Sequence, residues 1–289
     1  MRKNKWKTKK KSDLKRRLGG DLFLAPSLIG VCIFMVVPFF VVVYYSLIDN
    51  PIKKNFVGLE NFMRILDNSA FKMAALNTIK FSAVAVPLAV ILSLLLAMLL
   101  LSKIPGKTQL RTFYLSPLMV PVASVVLIWQ VLFDYNGVVN EWFVSFGLDK
   151  IDWMKSAYVQ IVIVLLFLWK NLGYNMIIFM ATLTSIPKEI VEVARLESAS
   201  SWQIFWHIKI RYLSSTIVFV TIMSLINSFK VFREVYLMTG DYPYDTLYML
   251  QHFMNNTFKS LDYQKLSSAA ILMSLVMIVI IAILFFFEN

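Results

Sequence analysis

The chain has 289 residues, of which 58% are hydrophobic and only 16% charged, whereas a soluble domain carries about a quarter charged residues. Lys and Arg outnumber Asp and Glu, giving a formal charge of +12. A single cysteine, Cys32, excludes an intrachain disulfide and a cysteine-based metal site. Two distant histidines, His207 and His252, give poor support to zinc chemistry or a Ser-His-Asp arrangement.

Ten of the 29 Lys and Arg residues fall between Arg2 and Arg17. Such a run suits nucleic acid or anionic lipid. The lipid reading is favoured, with no nucleic-acid partner, because an uncharged apolar stretch follows from Leu22 to Ile48. That stretch is too long for the apolar region of a signal peptide, about 7–15 residues, so it is read as a retained first span. Five further charge-poor stretches follow: Phe81–Ser102, Phe113–Phe133, Ser156–Pro187 (interrupted by Lys170), Tyr212–Phe229 and Leu266–Phe287. A spanning helix needs about 20 apolar residues. The expectation is therefore an all-α, polytopic membrane protein with six transmembrane helices. Residues 1–20 form a basic cytoplasmic tail, and 21–289 form one membrane domain. With the N-terminus inside, the inner segments carry 17 of the Lys and Arg residues and the longer outer segments 11. Both termini are thus expected in the cytoplasm.

Within the spans, Ala85, Ala89, Ser93 and Ala97 recur every fourth residue and offer a smooth face for helix packing. Pro26, Pro38, Pro87, Pro117 and Pro121 are expected to kink their helices. Between the first two spans, Leu59, Phe62, Met63 and Leu66 share one helical face suited to the membrane surface.

The segment between the fourth and fifth spans, residues 186–212, is the most informative. Pro187 suits a helix start, with Glu189 and Glu192 complementing the dipole. Ser198, Ser200 and Ser201 offer a break and a new cap, after which Trp202, Phe205, Trp206 and Ile208 form an apolar face. Two short helices joined at an angle are expected, a knob on which a soluble partner can dock. Trp202, Phe205 and Trp206 are expected to pack against the ends of other helices.

This segment resembles the coupling loop of permease subunits in carbohydrate-type bacterial ABC importers. The family pattern runs Ile-Pro, Glu-Ala-Ala, Asp-Gly-Ala, Trp-Gln and a closing Leu-Pro. The chain keeps Ile186-Pro187, Glu192, Ala194, Ala199, Trp202-Gln203, Phe205 and Ile208. It departs at Val193, at Glu197 for Asp, at Ser198 for Gly and at Arg211 for Pro. Serine at a position suited to glycine matters most, because glycine takes positive φ without strain. Gly58-Leu59-Glu60-Asn61-Phe62, Asn77-Thr78, Gly137-Val138-Val139-Asn140 and Ser228-Phe229-Lys230-Val231-Phe232 extend the likeness over nearly the whole chain. It is closer to permeases related to the larger maltose permease and the glycerol-3-phosphate permease.

The resemblance implies a type I ABC importer permease that works by alternating access. It implies a second permease, usually a different chain, two ATPase subunits holding ATP and Mg, an extracellular solute-binding protein, and a sugar as substrate. This chain itself would hold no cofactor and catalyse no reaction; it has no Gly-rich phosphate loop. Glu189, Glu192, Ala194, Glu197, Ser198 and Ala199 would meet the ATPase. For Glu192 the plainer alternative is a helix-start carboxylate on a solvated loop. Phe167, Lys170, Asn171, Tyr174, Ser224, Asn227 and Ser228 would contact the sugar; inter-helical hydrogen bonding is the alternative for the polar ones. Lys170, alone in an apolar run, is either functional or reaches the outer interface. Competing readings are an importer of a non-sugar solute such as a glycerophosphodiester, an ion-coupled carrier, and a membrane enzyme. A carrier would want paired acidic residues within the spans, and the enzyme a catalytic constellation near the interface.

Overall fold

The structure is a computed structural model that describes residues 24–155 and 158–288. The basic tail, and the starts of the first and fourth spans at Leu22 and Ser156, lie outside the described residues. Cα packing divides the chain into two units: the residues up to Ile65 with Leu261–Ser274, and Leu66–Ser260 with the residues from Leu275 onward.

In the first unit, helix α1 spans Leu24–Ser46. A π-helical turn at Cys32–Val36 precedes Pro38. Proline lacks an N–H and its ring collides with the carbonyl four residues back, so a widened turn just before it accommodates both defects. Helix α2, Glu60–Asp67, forms where periodicity places it. The inward positions are Asn61 and Ile65, while Leu59, Met63 and Leu66 stay exposed. Asn61 explains this rotation: its side-chain amide donates to the carbonyls of Ser46 (3.0 Å) and Ile48 (2.8 Å), fastening α2 to the end of α1.

The second unit is built on three long helices: α3 (Ser69–Leu101), α7 (Val159–Ser185) and α10 (Ile210–Phe229). The α3 helix begins twelve residues before the apolar run, because Asn68 caps it by accepting from the Phe71 amide at 3.0 Å. The small-residue stripe is buried as expected, with Ala85, Ala89, Ser93 and Ala97 all fully inaccessible. Around it form two apolar clusters. One joins Phe81, Ala85 and Ala89 to Ile163, Phe167 and Val235; the other joins Leu94, Ala97 and Leu100 to Met176, Phe179 and Leu213.

The third span departs from the sequence expectation. It is a broken pair rather than one kinked helix. Helix α4 (Lys107–Leu115) tightens into a 3-10 turn at Ser116–Met119, and α5 (Val122–Leu132) leaves at 109° to it. Pro117 removes one helical donor, and Pro121 forces Val120 into extended backbone (φ −92°, ψ 129°). Among the described residues five helices are long and apolar enough to cross a membrane, and the bent pair makes a sixth crossing possible.

Helices α6 (Val138–Ser145), α11 (Phe232–Thr239) and α12 (Leu250–Lys259) fill the segments between spans, and α13 runs Tyr263–Glu288. Polar residues secure these segments. Asn140, fully buried, donates to the carbonyls of Tyr135 and Ile151 and accepts from the Ile151 amide and the Trp153 indole. Asn77 donates to the carbonyls of Asp245 and Tyr248, and the Thr78 hydroxyl accepts from the Leu250 amide.

Candidate functional site

Two places gather the residues singled out in the sequence. The first lies between α7 and α10. Helix α8, Lys188–Leu196, starts at Pro187 and carries Glu189 in its first turn and Arg195 in its last, both complementing the helix dipole. It ends in a Schellman turn. Glu197 is the C-cap, Ser198 takes φ +62°, the Ser198 amide donates to the Arg195 carbonyl (3.0 Å), and the Ala199 amide donates to the Ala194 carbonyl (2.9 Å). Serine here holds the left-handed conformation that glycine takes at no steric cost, so the turn keeps its shape and carries the strain.

Ser200 then starts α9 (Ser201–Ile204) with a reciprocal capping box. Its hydroxyl accepts from the Gln203 amide, and the Gln203 side chain accepts from the Ser200 amide at 2.8 Å. The second helix is not a separate short element. It passes through a π turn at Phe205–Lys209 directly into α10, because the Arg211 position lacks the proline that would break it. The docking segment is thereby continuous with a span.

Glu189, Glu192, Glu197 and Ser198 are exposed; Ala194 and Ala199 are half-buried. Beside them Val193 and Leu196 also face outward, with Leu196 at 85% exposure. Of the aromatic trio, only Phe205 packs inward, against the cluster around Leu213. Trp202 and Trp206 pack edge-to-face on each other at 5.5 Å and stay exposed, contrary to the expectation that all three cover helix ends.

The second place is a cavity of about 240 Å³ between α7, the end of α10 and α11. Phe167, Lys170, Asn171 and Asn227 line it, together with Lys230, Arg233 and Glu234. Phe167 is a buried edge-to-face partner of Phe81. Asn227 donates to the Asn171 side-chain carbonyl at 2.9 Å, and Asn171 donates to the Phe167 carbonyl. Lys170 forms an ion pair with Glu234, 64 residues away. It sits about 16 Å along α7 from Val159 at 1.5 Å per residue and is anchored there. Sequence reasoning missed Glu234, because α11 falls in a stretch assigned to an outer loop. The signal available was Lys170 itself, since a lone cation in an apolar run calls for a counter-ion. Glu234 is 5% exposed, and its Oε2 has no hydrogen-bond partner.

Tyr174 lies outside this cavity and is 38% exposed. Ser224 and Ser228 are fully buried in inter-helical contacts: Asn175 donates to Ser224 at 2.9 Å, and Ser228 shares a hydrogen bond with Ser82 at 2.8 Å. Among the described residues, no group of three His, Cys, Asp or Glu is placed to hold a metal.

Known proteins resemble this chain in sequence and in fold. The lactose transport system permease protein LacF of Rhizobium radiobacter is 29% identical over 97% of each chain. A probable starch degradation products permease, AmyD of Thermoanaerobacterium thermosulfurigenes, is 28% identical over 90% of each. The trehalose/maltose permease MalF of Thermococcus litoralis is 29% identical over 78% of each. A chain of a bacterial ABC transporter that imports the acidic polysaccharide alginate superposes with a TM-score of 0.83 at 20% identity, covering 96% of this chain and 97% of that one. Residues 85–289 match the pattern of the binding-protein-dependent transport system inner membrane component family, and the chain belongs to that family.

Proposed function

We propose that this chain is the permease subunit of an ATP-driven importer of a sugar or oligosaccharide. The observation that carries the reading is the helical segment α8–α9, which presents an apolar and acidic surface and runs without interruption into α10. A Schellman turn and a capping box hold its two helices at a fixed angle, so a push on α8 is passed to a span as a rigid displacement. Val193 and Leu196 supply apolar contact, Ala194 permits close approach, and Glu189, Glu192 and Glu197 supply hydrogen-bond acceptors for an ATPase. The relatives named for lactose, starch products and trehalose/maltose support a carbohydrate substrate.

On this reading both termini lie in the cytoplasm, as the positive charge directs. Two ATPase subunits supply ATP and Mg chemistry, a second permease completes the path, and an external binding protein delivers the solute. The cavity around Lys170 and Asn171 faces that path, and Phe167 offers an aromatic wall to a sugar ring.

The test is purification of the tagged chain in mild detergent, identification of its partners by mass spectrometry, and uptake assays in inverted and right-side-out vesicles. An ATPase and a second permease are expected, with uptake that needs ATP and survives an ionophore. Recovery of the chain alone, or uptake abolished by the ionophore, overturns the reading.

A further inference from the structure

We infer that the cavity between α7, α10 and α11 selects a solute that is both polyhydroxylated and negatively charged, such as a uronate-containing saccharide or a sugar phosphate. The inference rests on the reading of this cavity as part of the solute path, and it names the class of solute. Three cationic side chains, Lys170, Lys230 and Arg233, face one carboxylate, Glu234, leaving a net charge of +2. Glu234 is already committed to Lys170. Among the described residues, the side chains of Lys230 and Arg233 have neither an ion-pair nor a hydrogen-bond partner, and both are exposed at the mouth.

Helix energetics do not account for Arg233. It lies in the first turn of α11, where the dipole disfavours a cation. Lys230, by contrast, is the C-cap of α10, where a cation is favoured, so Arg233 is the stronger indicator. A planar guanidinium suits a carboxylate or phosphate in two-point contact.

The hydroxyl requirement comes from Glu234. Its Oε2 is buried and has no donor, and an unmatched buried acceptor is costly. A hydroxyl donor from the solute satisfies it once the Glu234 carboxylate turns into the cavity that its side chain already lines, where the Asn171 and Asn227 side chains border the same space. At about 240 Å³ the cavity is below the roughly 300–1,000 Å³ of pockets that enclose drug-sized ligands. It suits one sugar ring with its anionic substituent.

The test uses the chain purified with whatever subunits accompany it, in lipid nanodiscs. Saturation-transfer NMR titrations would compare digalacturonate, glucose 6-phosphate and maltose. Digalacturonate, glucose 6-phosphate or both are expected to bind at least about tenfold more tightly than maltose. The responding anion identifies carboxylate or phosphate as the source of charge. The double variant Lys230→Gln/Arg233→Gln should weaken the anion about tenfold, a change of about 1.4 kcal/mol, and so remove most of its advantage over maltose. Lys230→Arg/Arg233→Lys should retain anion binding. Should the neutral variant fail to assemble, the wild type carries the same comparison, because anion affinity should fall as salt rises to about 0.5 M. Equal binding of maltose, no binding of either anion, or an anion affinity indifferent to both charge removal and salt overturns the inference. ATP-driven uptake of neutral sugars alongside any of those results leaves the transport reading intact.

Discussion

Gly173 on α7 lies directly against the backbone of Tyr114 at the end of α4: a Cβ placed on Gly173 would stand 1.9 Å from the Tyr114 carbonyl oxygen and 2.6 Å from its carbon. The contact is backbone to backbone, so no side-chain rotation can relieve it. It brings the last turn of α4, just before the break at Ser116–Met119, onto the stretch of α7 that carries Lys170 and Asn171. The prediction is that Gly173→Ala pushes the two helices apart at a cost of about 1–3 kcal/mol, the range for overpacking a filled interior. Melting of the detergent-purified protein, followed by size-exclusion, should show the loss. Gly30→Ala, where a Cβ meets nothing within 4 Å, should show none.

The ion pair between Lys170 and Glu234 makes a second prediction. Removing one member of a buried pair strands the other, typically at about 3–5 kcal/mol. Lys170 retains 27% side-chain exposure against 7% for Glu234, so the stranded carboxylate is the worse case. Lys170→Met should therefore destabilise more than Glu234→Gln. The double variant Lys170→Met/Glu234→Leu should recover most of the stability while transport stays impaired. A double variant no more stable than Lys170→Met would show that the pair does not act as a unit.

How far the sequence discloses this architecture depends on the range of the interaction. Apolar runs locate the spans because lipid penalises free polar groups regardless of fold. The stripe Ala85, Ala89, Ser93, Ala97 repeats along one helix face, and Ser200 and Gln203 cap each other across three residues, so their roles are readable from spacing. Pro117 and Pro121 are visible too, but a proline in an apolar run is compatible with a kink or a full break. The 109° turn is decided by what packs against it. Asn171 and Asn227 meet across 56 residues, and Lys170 meets Glu234 across 64; neither spacing carries a period. Ser224 and Ser228 show the reverse limit, since a hydroxyl that faces another helix reads the same in sequence as one that faces a solute.

Ser198 supplies a third prediction. Its φ of +62° costs an ordinary residue roughly 1–2 kcal/mol, offset in Ser198→Gly by about 0.4–1 kcal/mol of added unfolded-chain freedom. The net is a gain of between zero and about 1.6 kcal/mol with the turn unchanged. Ser198→Ile, β-branched and intolerant of positive φ, should open the angle between α8 and α9. Thermal stability should order Gly, Ser, Ile. ATP hydrolysis stimulated by solute, on the proposed reading, should survive in the glycine variant and fall in the isoleucine variant. Equal stability for all three would mean the left-handed turn is not present.

His252 provides the pH dependence. It is fully buried on α12, its Nδ1 accepts from the Met249 amide at 3.3 Å, and its ring meets Phe232 edge-to-face at 4.7 Å. Burial pushes its pKa down to about 4, against a small opposing pull from the Asp241 carboxylate. An ordinary histidine titrates near 6.5, so the unfolded chain takes up a proton before the folded one does. Stability from this group is complete above about pH 6.5, declines as pH falls towards 4, and levels off below, a total of about 3 kcal/mol. Asp241 is itself held below the usual carboxylate range, chiefly by its hydrogen bond from Lys259, and so stays ionised through that window. The variant His252→Gln keeps an acceptor for the Met249 amide and removes the titration. Its melting temperature should vary less than the wild type's between pH 7 and pH 4.5, while matching it to within a few degrees at pH 7. Parallel pH profiles for the two proteins would assign the acid sensitivity to other groups.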